Sequence, residues 1–131
     1  MAFLEKIVVS DIAGLSDGHG CLSLVTNEKG GILDDTVITN AGDHVYMVVN
    51  GATKFGDMKH FEEQMAAFDG DVSMEYLGDD MQLLAIQGPG ASAAVAKILP
   101  SDFDLVKMPF MTGTNTTLDG VDGCRITRCV P

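Results

Sequence analysis

The chain predicts an α+β domain in which helices pack on a largely antiparallel sheet. Three observations carry this reading. Residues 21–50 fall into short alternating apolar runs separated by polar turns. Residues 55–68 switch to an apolar repeat of three and four. Strand-like runs return from residue 71 onward, and strands segregated from helices in this order indicate α+β rather than a parallel α/β fold. With 131 residues, 46% of them apolar, the chain is expected to form one domain with a real core.

Taken in order, Phe3, Leu4, Ile7 and Val8 recur at helical spacing, so residues 2–9 read as the last part of an amphipathic helix. Gly14, Gly18 and Gly20 keep the following stretch irregular. Residues 21–26 (CLSLVT) alternate as a strand, and Asn27-Glu28-Lys29-Gly30 has the composition of a tight turn into a second strand over 31–39 (GILDDTVIT). Asn40-Ala41-Gly42-Asp43 makes the next turn, and 44–50 (HVYMVVN) is a third strand, giving an antiparallel meander. Phe55, Met58, Phe61, Met65 and Phe68 then lie on one helical stripe that reads as core. Residues 71–77 and 81–87 read as two strands around Gly78-Asp79-Asp80, the second apolar enough for a central position. Residues 91–99 form a short helix closed by Pro100, residues 101–113 are a connection, and two final strands flank a turn at Asp122-Gly123.

Composition excludes several function classes. The formal charge of −11 argues against nucleic acid and anionic membrane surfaces as partners. No apolar run approaches the ~18 residues of a membrane-spanning helix. Cys21, Cys124 and Cys129 are an odd count without a CxxC pair, which suits reduced thiols and not a disulfide scaffold or zinc site. No metal site is expected, because the adjacent acids Asp34 and Asp35 do not by themselves supply several convergent oxygens. His19, His44 and His60 read as surface histidines, and Gln87-Gly88-Pro89-Gly90 lacks the spacing of a phosphate loop.

The conflict worth pursuing is Asp34-Asp35 inside a strand of Ile, Leu, Val and Thr. Carboxylates there cost stability unless partnered, and Asp is a poor strand former. Strand alternation places Leu33, Asp35, Val37 and Thr39 on one face, opposite Asp34 and Thr36; on the next strand Tyr46, Val48 and Asn50 form a set. If those sets meet, an acid and a carboxamide sit in an apolar cup suited to a planar heteroaromatic ligand with an amine. One acid would face it while the other is solvated or caps a turn. The alternative is a bulge or edge strand whose acids simply face water. Arg125 and Arg128 are the further candidates, each able to meet a carboxylate.

Three separated motifs then converge. TNEKGGILDDTVITNAGDHVYMVVNGA, LLAIQGPGA, and MPFMTG followed by GCRITRC resemble, in the same order, the aminomethyltransferase (T-protein) family of the glycine cleavage system. The resemblance covers essentially the whole chain. It implies a folate-binding α+β domain belonging to a larger protein, with residues 1–131 a partial domain truncated at both ends. It implies transfer of a methylene from the aminomethyl-lipoyl arm of H-protein to tetrahydrofolate, with release of ammonia. Asp35, the second acid of the LDD motif, is then the catalytic candidate, and Asn50, Val37 and Leu22 are the folate-binding candidates. The expected partners are lipoylated H-protein and tetrahydrofolate, and the expected compartment is the mitochondrial matrix, with a bacterial cytoplasm as the alternative. Alone, the piece is expected to fold, to bind folate weakly and to show little transfer. Apolar sheet exposed at its ends is expected to favour a homodimer. The alternative function is a non-catalytic folate-binding module of the same superfamily.

Overall fold

A computed structural model describes residues 1–129 and divides the chain into two compact units, residues 1–73 and residues from 74 onward. The first unit is built on a three-stranded antiparallel sheet in the order β1 (Gly20–Thr26), β2 (Ile32–Asn40), β3 (Val45–Val48). The meander read from alternation is therefore present, with strand bounds shifted by no more than two residues. Asn27 builds the first turn, its Oδ1 accepting from the backbone N–H of Lys29 and Gly31 at 3.0 and 2.9 Å. Gly30 takes a positive φ of 75° there, which a residue with a Cβ adopts only at a cost. Register sets Leu22 opposite Val37, Leu24 opposite Asp35, and Val37 opposite Val48.

The sheet has a dry face and an open one. Ser23 and Val25 of β1, with Asp34, Thr36, Ile38 and Asn40 of β2, are buried. Helix α1 (Lys54–Ala66) covers this face through Phe61, which joins Val25, Ile38, Phe3, Ile7, Val8 and Ile12 in one apolar cluster. The anticipated stripe is corrected at its start: Phe55 is 76% exposed, while Asp57 is buried one turn before Phe61. A polar residue in phase with the core takes the place of an aromatic out of phase with it.

The expected helix over 2–9 is a single 3-10 turn, Leu4–Lys6. Its apolar residues are core all the same, because Phe3, Ile7 and Val8 pack inward and Val8 bridges to Val25. The carboxylate of Glu5 accepts from the N–H groups of Ile12 and Ala13 at 2.9 and 2.8 Å, closing the loop that carries buried Ile12.

The second unit contains α2 (Ala91–Val95), a 3-10 turn at Leu105–Lys107, and the hairpin β4 (Thr112–Leu118), β5 (Val121–Arg128). The strands expected over 71–77 and 81–87 do not form; the backbone there is irregular, and Leu83 and Leu84 are 69% and 81% exposed. Alternation describes what a strand would bury, but a strand also needs a partner to accept its hydrogen bonds, and among the described residues these segments pair with no strand. The hairpin turn lies at Asp119-Gly120 and not at Asp122-Gly123. Both turn residues have positive φ, 48° and 80°, which matches the right-handed twist of the flanking strands.

Candidate functional site

The site grows out of the end of β3. After Val48 the chain leaves the sheet through Val49 and Asn50 and turns into α1, with Thr53 Oγ1 donating to the Asn50 carbonyl at 3.1 Å. Asn50 thus sits where the adjacent strand β2 presents its two acids. The Asn50 backbone N–H donates to Asp34 Oδ2 at 2.9 Å, and its Nδ2 donates to Asp34 Oδ1 at 2.8 Å. The same Nδ2 donates to Asp35 Oδ1 at 2.9 Å and reaches the Asp35 carbonyl at 3.3 Å. One carboxamide therefore bridges neighbouring carboxylates that point to opposite sides of a strand. Because oxygens surround that end of the group, the nitrogen must face them, and Oδ1 is the atom turned away.

The acids live in different environments. Asp35 is exposed on the open face, while Asp34 is 7% exposed and lies on the dry face. Burial pulls the Asp34 pKa upward, but the two hydrogen bonds from Asn50 outweigh it and hold the group below its ordinary value. Of the two roles expected for the second acid, solvated or capping a turn, Asp34 takes the capping one. It is not solvated.

The remaining sequence candidates fall on the open face. Leu22 is 65% exposed and directly opposite half-buried Val37. Asp35 is the next residue on that face of β2, so Leu22, Val37, Asp35 and Asn50 are brought together. The two arginines belong to the second unit, where Arg125 Nη1 donates to Asn115 Oδ1 at 3.1 Å within the hairpin and Arg128 Nη1 donates to the Met108 carbonyl at 2.8 Å. His60, expected on the surface, is half-buried, with Nε2 enclosed and unbonded. Among the described residues, no group of three or more potential metal ligands is assembled.

Sequence reasoning missed Asp57 and Thr53. Asp57 is 2% exposed on the first turn of α1, and its carboxyl interacts with Thr53 and Asp34. Burial pushes its pKa up, and the negative charge of Asp34 adds to it, while the nearby Thr53 hydroxyl pulls the other way. The usable signal was spacing, since Asp57 stands four residues before Phe61 on the buried face of α1.

An antiparallel meander backed by a helix, with a carboxamide clamped between two strand acids, defines a small α+β unit. Comparison with known proteins places it: the GCVT N-terminal domain matches residues 1–130, and the chain belongs to that family. The mitochondrial aminomethyltransferase of Dictyostelium discoideum is 46% identical over 132 residues, covering 97% of this chain and 32% of the relative. That of Gallus gallus is 45% identical over 131 residues, with the same two coverages of 97% and 32%. That of Mesembryanthemum crystallinum is 47% identical over 132 residues, covering 96% of this chain and 31% of its own length. The chain spans about a third of the length of these relatives.

Proposed function

We propose that this chain forms the tetrahydrofolate-facing wall of a glycine-cleavage aminomethyltransferase. The observation that carries the proposal is the Asn50 carboxamide held at 2.8 and 2.9 Å from the Asp34 and Asp35 carboxylates, beside an open sheet face bearing Leu22 and Val37. A flat apolar face takes the plane of a pterin, and an exposed carboxylate with a fixed carboxamide oxygen meets its N–H edge. The relatives' names, each a mitochondrial aminomethyltransferase, support the same reading.

In the proposed reaction the methylene leaves a sulfur-bound aminomethyl group and ends bonded to two folate nitrogens. Ammonia departs, and the lipoyl sulfur of H-protein is left as a thiol. Asp35 orients the attacking folate amine and holds its proton as the new C–N bond forms. Asn50 and the Leu22–Val37 pair hold the ring. The complete aminomethyltransferase, acting with lipoylated H-protein in the mitochondrial matrix, carries out transfer; this chain contributes the folate contact.

The test is calorimetric titration of tetrahydrofolate into the chain, paired with ammonia release from aminomethylated H-protein by the full-length enzyme carrying Asp35→Asn. Tetrahydrofolate should bind the wild-type chain, and the substitution should lower transfer by roughly 10²–10⁴-fold. Unchanged transfer would remove Asp35 from its role, and binding with no dependence on Asp35 in transfer would favour a non-catalytic folate module.

A further inference from the structure

Asp34 shares the Asn50 carboxamide with Asp35, yet the proposed reaction gives it no part. The Asn50 backbone N–H donates to Asp34 Oδ2 at 2.9 Å, and Asn50 Nδ2 donates to Asp34 Oδ1 at 2.8 Å. The same Nδ2 donates to Asp35 Oδ1 at 2.9 Å and reaches the Asp35 carbonyl at 3.3 Å. Asp34 is buried and Asp35 is exposed. Among the described residues, no hydrogen bond reaches Asp35 Oδ2.

We propose that Asp34 is a positioning residue for transfer: it holds the Asn50 carboxamide so that Nδ2 fixes the Asp35 carboxylate by one oxygen, leaving Oδ2 for the attacking amine. The inference deepens the tetrahydrofolate reading above and rests on it for its kinetic consequence.

The carboxamide nitrogen has two hydrogens, and both acids lie within reach of it. Its orientation is set from the buried side. Asp34 takes one donor from the backbone of Asn50 and one from its side chain, so a single carboxylate fixes both the place of residue 50 and the turn of its amide. The strand beneath is tied to the same turn. Thr36, the next residue on the dry face of β2, donates through Oγ1 to the Val48 carbonyl at 2.7 Å, two residues before Asn50. An exposed aspartate otherwise exchanges among staggered rotamers, and a charge-assisted bond from an immobilised donor selects one of them. The open acid is held because the closed one is.

This arrangement needs an acid at position 34. A carboxylate offers two acceptors to the two Asn50 donors, whereas an amide has one oxygen for both. In Asp34→Asn an N–H at 34 therefore meets an N–H of Asn50. Turning the Asn50 oxygen inward relieves that conflict, but it sets the oxygen against Asp35 where the nitrogen had been. Asp35 loses its fixed bond, although the side chain at 34 barely changes in volume.

Two measurements test this. In the chain without ligand, the three-bond coupling between the Asp35 backbone nitrogen and its Cγ reports the side-chain rotamer. A single rotamer is expected in the wild type, and averaging among rotamers in Asp34→Asn. Averaging in the wild type, or a single rotamer kept in the variant, overturns the proposal. In the full-length enzyme, Asp34→Asn should lower kcat for ammonia release about tenfold, with KM for tetrahydrofolate within about twofold of wild type. In an Asp35→Asn background the same substitution should change the rate by less than about twofold, because the carboxylate it positions is gone. A merely structural Asp34 would lower the rate by the same factor in both backgrounds, and that result contradicts the proposal. Should Asp34→Asn fail to fold, Asn50→Ala takes its place in the coupling measurement. It keeps the backbone bond to Asp34 and removes the bridge, so a single Asp35 rotamer there is the overturning result. Should tetrahydrofolate fail to bind the wild-type chain, the folate reading falls, while the Asp35 coupling still judges the bridge.

Discussion

The two faces of β2 put the same residue type to opposite uses. On the dry face Asp34 sits among Thr36 and Ile38, both nearly inaccessible, and its carboxylate anchors the turn that launches α1. On the open face Asp35 lies beside Val37, exposed apart from its bond to Asn50. Adjacent residues cannot share an environment in a strand, because the side-chain period is two. An acid pair is therefore a compact way to attach a buried anion and an exposed one to a single carboxamide. Burial next to a partner makes the first rigid, and exposure makes the second available.

The contrast can be broken one substitution at a time. Ile38→Ala on the dry face removes a side chain that is 0% exposed and should cost about 2–5 kcal/mol in denaturant-induced unfolding. Asp34→Ala strands the Asn50 backbone N–H, takes one acceptor from Nδ2, and should cost roughly 1–3 kcal/mol in the same measurement. Asp35→Asn on the open face should change stability by no more than about 0.5 kcal/mol, while it removes the proposed transfer function.

Acid titration sharpens the comparison further. The Asp34 pKa is held below its ordinary value of 3.8, so its contribution is complete above 3.8 and is lost as pH falls through its folded-state value. The stability gap between wild type and Asp34→Asn should therefore narrow in strong acid, seen as converging denaturation midpoints. Asp57 has the opposite sign. With its pKa raised above 3.8, its contribution is complete below 3.8 and is lost as pH rises through the folded value.

Much of the first unit was legible because its signals are local. Alternation in CLSLVT and GILDDTVIT, with Asn27 and Gly30 between them, specifies both the hairpin and the face on which Asp35 emerges. What failed depended on partners distant in sequence. Residues 81–87 have the composition of a central strand yet stay irregular, since composition cannot say which strand will accept their hydrogen bonds. Asp119-Gly120 and Asp122-Gly123 are alike in sequence, and only the pairing of Leu118 with Val121 shows which one turns. At the site, Asp35 and Asn50 were visible as polar residues in apolar strands. Asp57 was hidden because a charged residue in a helix reads as wet, and only the fold, which leaves it 2% exposed, reveals that it is dry.

The most direct measurement of the central claim is an amide-resolved NMR titration of the chain with tetrahydrofolate. The account predicts that shifts concentrate on Leu22, Asp35, Val37 and the Asn50 side-chain amide, with the β4–β5 hairpin unmoved. Shifts confined to Thr112–Arg128, or binding that leaves the Asn50 carboxamide unperturbed, would contradict it.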